Sequence, residues 1–403
     1  MKRHAFSLCL FACTACAVDV DDILDRLDST LTISAWQNQF RARLSGTLDL
    51  EYYHFQQPAP GLINSTIDDL FSPRLTLFLD SQIGSQIYFF MQTRLDRGFD
   101  PSDRGAQIRL DEYAVRVTPW ADGRLNIQLG KFATIVGGWV PRHLSWDNPF
   151  VNAPLVYENV TAIQDRDSHI KPDFEHALLH DKYEFNPVIW GPDYASGISI
   201  SGRIDKFDYA VEMKNSSLSG RPESWDVTQI GFNDPTFSGR AGFRPNEAWN
   251  TGVSLSEGAY FRPEVERTLP RGRDIDDYRE FVIGEDASFA FHHLQLWAEF
   301  YEARFEVPRL GDADTFAYYI EAKYKFTPQL FGAIRWNQQL FATIDNGTAP
   351  DVRWGRDLGR IDVAVTYRFT THTQLKVQYD FERETSGDHD DNHFVAAQFT
   401  VRF

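Results

Sequence analysis

His176 and His180 lie four apart in Phe174-Glu175-His176-Ala177-Leu178-Leu179-His180-Asp181. On a helical turn both imidazoles share a face, which is metal-ligand spacing. No third ligand stands at a fixed spacing, although His169 is near, so the competing reading is a solvated turn. Asp388-His389-Asp390-Asp391-Asn392 crowds oxygens that suit a divalent cation. It lacks the glycine and ligand register of a calcium loop, and a solvated hairpin tip explains it equally. The sequence has no Gly-x-Ser-x-Gly elbow, phosphate-cradling loop or His-Glu-x-x-His motif. No catalytic residue is therefore assigned, and no cofactor is implied. The three cysteines, Cys9, Cys13 and Cys16, all fall in the first seventeen residues. A chain that loses those residues has no disulfide, thiolate metal site or cysteine nucleophile.

Those first residues read as a secretory signal. Lys2 and Arg3 give a positive start, Ala5 to Ala12 a short apolar core, and Ala15-Cys16-Ala17 the small residues of a cleavage site after Ala17. Leu10-Phe11-Ala12-Cys13 loosely matches a lipobox, which bulky Phe11 fits poorly. The formal charge is −17 and becomes more negative once Lys2 and Arg3 are removed. Nucleic-acid binding, which runs on Lys and Arg, is excluded on that ground. After the signal no apolar run of eighteen residues occurs, so no membrane-spanning helix is expected. A chain this polar enters a membrane only as a closed barrel, which leaves no backbone group unpaired. Residues 18–39 form a separate N-terminal segment. Val20, Ile23, Leu24, Leu27 and Leu31 fall there at helical spacing among Asp21, Asp22, Asp25 and Asp28, which fits a short helix or an acidic disordered leader.

From Phe40 onward the chain alternates apolar and polar residues with period two in segments of about ten. In Thr315–Phe326, Phe316, Tyr318, Ile320, Ala322 and Tyr324 oppose Tyr319, Glu321, Lys323 and Lys325. Arg360–Phe369 and Thr373–Glu384 repeat the pattern. A one-residue slip would expose several charges to lipid, each Lys or Arg costing about 2–4 kcal/mol at the midplane. About sixteen such segments occur, and short turns (Asp205-Lys206, Thr327-Pro328) alternate with long connections (His54–Pro73, Asn215–Thr236). That asymmetry predicts an all-β fold for residues 40–403: a transmembrane antiparallel β-barrel of about sixteen strands, with short periplasmic turns and long outer loops. Two strands are irregular. Glu285 falls on the lipid-facing side, which predicts a bulge or rim position, and Arg74–Ser81 is short for a full crossing.

Residues 133–195 form the third outer loop, too long and too rich in Trp and Pro for a plain surface loop. Trp139, Trp146 and Trp190 need apolar surface, which the lumen supplies. The constriction candidates are Trp139, Arg142, Trp146, Asp147, Glu158, Asp165 and Asp167. Acids exceed bases in this loop, which would favour cations at a narrow point. Charges expected on the lumen wall include Arg41, Arg43, Arg74, Arg94, Glu112, Arg116, Arg335, Arg360 and Arg368.

Two stretches, "IRLDEYAVRVTP" (108–119) and "LNIQLGKF" (125–132), resemble the phosphate-selective porin O/P family. The matching positions are Asp111-Glu112-Tyr113-Ala114 and Gly130-Lys131-Phe132, with Gly137 following. The C-terminal Gln398-Phe399-Thr400-Val401-Arg402-Phe403 resembles the signal read by outer-membrane assembly machinery. The resemblance implies a sixteen-stranded, homotrimeric porin in the bacterial outer membrane that passes small hydrophilic solutes or ions without catalysis. The partners it implies are outer-membrane lipid and lipopolysaccharide, the assembly machinery through Phe403, and small polar solutes. Phosphate selectivity does not carry over, because Lys131 alone matches. The alternatives are a saccharide-specific or exporting channel, with Trp139 and Trp146 stacking on sugars, and a plugged barrel acting as adhesin or receptor.

Overall fold

The computed structural model describes residues 20–98, 101–168, 184–344, 352–384 and 391–403. The signal segment, His169, His176, His180 and residues 388–390 lie outside the described residues. Helix α1 (Val20–Thr30) leads into a short strand β1 (Thr32–Ala35). Strands β2 (Phe40–Phe55), β3 (Asp69–Ile83), β4 (Ile87–Asp96), β5 (Gln107–Val117) and β6 (Asn126–Lys131) precede the third long loop, which holds the helical turn α2 (Leu155–Glu158). Then come β7 (Ser196–Ile204), β8 (Phe207–Lys214), β9 (Thr236–Phe243), β10 (Trp249–Ala259) and β11 (Arg279–Phe291). β12 (Leu294–Val307), β13 (Gly311–Lys325) and β14 (Leu330–Phe341) follow. A two-residue pair, β15 (Thr343–Ile344) with β16 (Val352–Arg353), stands in the next connection. β17 (Leu358–Arg368), β18 (Thr373–Glu384) and β19 (Asp391–Arg402) complete the chain.

Among the described residues sixteen strands, β2–β14 and β17–β19, pair antiparallel in chain order, and β19 pairs with β2 through Val401↔Leu48 to close the barrel. Closure leaves no strand edge for lipid to desolvate. Below the end of β19, β1 takes over the same edge of β2, with Thr32 opposite Arg43. Helix α1 lies alongside, tied by Asp28 to Arg43 at 2.8 Å and by Asp25 to His372 at 2.9 Å. The closing seam is therefore covered at its short-turn end.

Alternation decides the two faces. Val363, Val365, Val377 and Ile320 point outward and are exposed, while Asp362, Thr366, Lys376 and Glu321 point inward and are buried. The structure corrects two readings of the strands. β3 is fifteen residues long and runs through Pro73, opposite Leu50. Pairing of β3 with β4 begins only at Leu75, so the missing N–H of Pro73 costs no ladder bond on that side. Glu285 sits in mid-strand on the outer face, opposite Val253 and Phe300, with no register shift on either side. The one register shift recorded in the sixteen-strand sheet falls instead in β5. There Asp111 is the extra residue, Glu112 pairing with Gln92 and Leu110 with Thr93.

Val363→Arg places a guanidinium at the centre of the outward face of β17. Unfolding in lipid vesicles should show a loss of about 2–4 kcal/mol relative to wild type; an unchanged midpoint would mean that this face does not meet lipid.

Candidate functional site

The lumen is occupied by the third long loop, fastened to the inner wall along one side. Gly138 N–H donates to Glu299 on β12 (2.8 Å), and Arg142 pairs with Glu321 on β13 (2.6 Å). Leu155 N–H reaches Asn337 on β14 (3.3 Å). Glu158 pairs with Arg360 on β17 (2.5 Å), and Val151 N–H donates to Gln378 on β18 (2.5 Å). Lys376 donates to the Ser145 and Phe150 carbonyls, each at 3.0 Å. The exit of the loop is held from β8, where Lys214 donates to the Phe132 and Asp193 carbonyls.

The loop enters through the bulge. The extra residue turns both Asp111 and Glu112 inward: Asp111 pairs with Arg94 at 2.9 Å, and Glu112 accepts the Ala133 N–H at 2.8 Å. Gly130 is required beside it, because a Cβ there would stand 2.2 Å from the Tyr113 carbonyl. Lys131 bonds the Leu110 carbonyl at 3.0 Å and is buried. Further in, Glu299 accepts hydrogen bonds from the hydroxyls of Tyr157 (2.6 Å), Tyr319 (2.7 Å) and Tyr301 (2.8 Å). Gly137 passes between them at φ +84°, where a Cβ would meet the Tyr157 and Tyr301 hydroxyls at 2.2 Å.

Arg335 is the densest anchor. It is fully buried and pairs with Asp362 at 2.6 Å. It also donates to the Asn152 side chain at 2.7 Å and the Ala153 carbonyl at 3.1 Å, while packing over the Phe150 ring at 4.3 Å.

The other residues singled out from sequence divide into groups. Trp139 packs on Tyr157 with ring centres 4.7 Å apart. Trp146 carries the guanidiniums of Arg402 (4.0 Å) and Arg368 (4.7 Å) over its indole. Asp165 is removed from this group and pairs with Arg221 at 2.6 Å, and Asp167 lies beyond it, half-buried. Asp147 has no ion pair among the described residues, whereas Glu158 and Asp193 are paired with wall cations. On the wall, Arg74 pairs with Asp49 and Glu51, and Arg116 bonds Gln128 beneath Tyr88. Arg41 and Arg43 are exposed at the short-turn mouth. Arg368, Arg402 and Lys323 have no carboxylate partner among the described residues, and the first two bond backbone carbonyls instead. Sequence reasoning missed His143 and the tyrosine cluster around Glu299, because only pairings between separate segments of the chain give them roles.

His143 shows how tightly the loop is sealed. Its Nδ1–H donates to the Val140 carbonyl (2.5 Å), and its Nε2 lies 2.6 Å from the Tyr194 hydroxyl, which donates to it when the ring is neutral. Burial pushes this imidazole down to about 4. Burial likewise pushes Asp193 up to about 7, against the pull of Lys214.

Among the described residues, two chambers lie beside β2–β5 and β19. The inner one, about 140 Å³, lies between the wall residues Arg74 and Arg94 and the loop residues Trp139, His143 and Phe150. The outer one, about 420 Å³, is lined by Arg104, Arg109, Arg166, Arg221, Glu184 and Glu223. Between them the first two long loops join: Asn64 N–H donates to the Pro101 carbonyl (2.9 Å), and Asp103 N–H to the Asn64 carbonyl (3.1 Å).

Comparison with solved structures fits this architecture. The chain superposes on OmpF of Salmonella typhi in complex with daunomycin with a TM-score of 0.57, at 12% identity over 92% of this chain and 100% of that one. The outer-membrane channel DcaP of Acinetobacter baumannii gives 0.55, at 8% identity over 92% and 100%. The anion-selective porin of Comamonas acidovorans gives 0.52, at 11% identity over 90% and 100%. No family model matches the sequence, and no curated relative does. The fold is that of outer-membrane barrels.

Two outcomes follow from the anchors. Arg335→Met should cost about 1.5–3 kcal/mol in unfolding, because Asp362 keeps Arg360 but loses one of its two buried cations, and should speed protease cleavage within 148–158. Unaltered cleavage would show that the loop holds its place without this anchor. For His143, the unfolded chain takes up a proton more readily than the folded one between pH 6.5 and 4. The stability it contributes is complete above that window and is lost as the pH falls through it. The protection of amides over 139–148, measured against their intrinsic exchange rate at each pH, should therefore fall on acidification across this range. His143→Gln should flatten that response, and an identical profile in the variant would contradict the assignment.

Proposed function

We propose that the chain is a passive outer-membrane channel of the porin type, admitting small hydrophilic solutes and ions. One observation carries this reading: in the closed sixteen-strand barrel the third loop is fixed against one side of the inner wall, and cavities lie beside the opposite strands among the described residues. In this reading the short turns and both chain ends are periplasmic, and the signal is removed on export. Homotrimeric assembly, contact with lipopolysaccharide and recognition of Phe403 by the assembly machinery belong to the same proposal, supported by the sequence resemblance. The narrower assignment to the phosphate-selective O/P porins rests on the 108–132 motifs. Bulge formation and close strand packing account for Asp111, Glu112 and Gly130 there, and Lys131 is buried against Leu110 O rather than presented to a solute. Sugar stacking is disfavoured at Trp146, whose ring surface two guanidiniums occupy.

Charge selectivity should be weak. Glu158, Asp165 and Asp193 are neutralised by Arg360, Arg221 and Lys214, whereas Lys323, Arg368 and Arg402 near the short-turn mouth face only Asp147 unpaired. Planar-bilayer recording of the refolded chain should show stable open steps and, across a salt gradient, a zero-current potential with slight anion preference. Absence of conductance would favour the adhesin or receptor reading. Clear cation preference would return control of the pore to the acids of the third loop.

A further inference from the structure

Glu285 stands where a lipid-facing residue should be apolar. The outward residues of β11 pass from Phe281 through Ile283, Glu285 and Ala287 to Phe289. Glu285 is the centre of that row, between aromatic residues that mark the two edges of an apolar band. One strand away Glu302 is also turned outward, opposite Ile283 and Phe316. Both side chains are exposed, and neither has an ion pair or hydrogen bond among the described residues.

The outward charges nearer the long-loop rim behave differently. Arg304 pairs with Asp312 and Asp314, and Arg279 with Glu257 and Asp276. On other strands the outward positions hold Leu50, Val115, Val363 and Val377, all apolar and exposed. A carboxylate in hydrocarbon has neither water nor donor, so it persists where another group supplies one. Lipid tails supply none.

The same sheet carries the missing donors. On β14, Trp336 is outward and 45% exposed, and its Nε1–H has no acceptor among the described residues. Gln338 accepts the Tyr318 hydroxyl at 2.7 Å through Oε1, and its amide N–H groups make no bond among the described residues. Glu285 does not reach these donors within its own chain, because β11 and β14 are three strands apart, about 14 Å at the usual strand spacing. Beside Glu285 the outward residues Thr251, Ala287 and Ala298 are small, a depression that suits a side chain as large as Trp336 from another copy.

The angle between acceptors and donors selects the symmetry. In a closed barrel of sixteen strands, three strands span about 68° of the circumference. Each copy in a three-fold ring meets its two neighbours in directions about 60° apart, through two different and complementary faces. A two-fold contact would press β12 and β13 together and let the curved walls part at β11 and β14.

We infer that the outward face of β10–β14 is the surface on which copies of this chain meet in a three-fold ring. The Glu285 and Glu302 carboxylates of one copy take hydrogen bonds from the Trp336 and Gln338 donors of the next. This deepens the homotrimer of the proposed channel and rests on it.

The test uses the chain from Val18 onward, which has no cysteine, refolded in non-ionic detergent. Assembly is followed by sedimentation and barrel integrity by circular dichroism. Wild type should sediment as a trimer. Glu285→Leu should raise the concentration at which the trimer dissociates by about tenfold or more, since each contact loses a hydrogen bond to a charged group. Leu50→Trp, on a distant strand, should leave assembly unchanged. If the β11 face met lipid instead, Glu285→Leu would leave assembly as in wild type and raise the unfolding midpoint of the barrel. That outcome overturns the face and leaves the trimer standing. Ala287→Cys combined with Ile334→Cys keeps all four polar groups. Within one chain the two positions lie beyond the Cα reach of a disulfide, about 7 Å, so oxidation should give covalently linked trimers. Absence of the link in a folded trimer also overturns the face. A monomeric wild type that still conducts in planar bilayers removes the trimer and the face together, and leaves the channel reading intact.

Discussion

The structure depends on one electrostatic constraint: a charge withdrawn from water must find a partner, and many of the partners here come from a distant part of the chain. Arg335, Arg360, Glu321, Asp362 and Lys376 are almost completely buried on the inner wall. They are tolerable there because a loop some two hundred residues earlier brings carbonyls, amides and the Glu158 carboxylate to them. Breaking such a pair on one side costs several kcal/mol, far more than an exposed ion pair contributes. The loop is thus held in place by the wall, and the wall's charges are held in place by the loop.

The position of the passage follows. Anchors run from β12 to β18, so the loop occupies that side of the lumen, and among the described residues the chambers lie against β2–β5 and β19. The bulge in β5 sets where the loop begins, since the extra residue lets Asp111 hold Arg94 while Glu112 caps the Ala133 amide. Gly130 and Gly137 lie on either side of that entry, one where two strands approach closely and the other where backbone passes between tyrosine hydroxyls. Side chains at these positions would push the loop off its path, so the glycines matter to the lumen as much as to the strands.

The same pairing governs the electrical character of the interior. Counting acids and bases along the loop suggests a negative constriction, but Glu158, Asp165 and Asp193 each meet a cation of the wall or a neighbouring loop. Among the described residues near the short-turn mouth, Lys323, Arg368 and Arg402 stand around Trp146 without a carboxylate partner. Field at a narrow point comes from charges without close partners, and partnership is a property of the folded barrel.

The alternation along Thr315–Phe326 or Thr373–Glu384, together with the unequal connections, was sufficient by itself to give a closed barrel of about sixteen strands and to say which residues face inward. Both are local properties: the side-chain period is two, and a one-residue slip would put charges into lipid. The inward placement of Arg74, Arg335 and Arg360 was legible for that reason, as was the need of the loop tryptophans for apolar surface. The run of β3 through Pro73, the bulge at Asp111 and the mid-strand position of Glu285 were not legible, since each depends on which neighbouring strand begins pairing where. Nor were the buried His143 or the tyrosines around Glu299. Those depend on segments that only the closed tertiary structure brings together, Tyr194 to His143 and Tyr157 to Glu299.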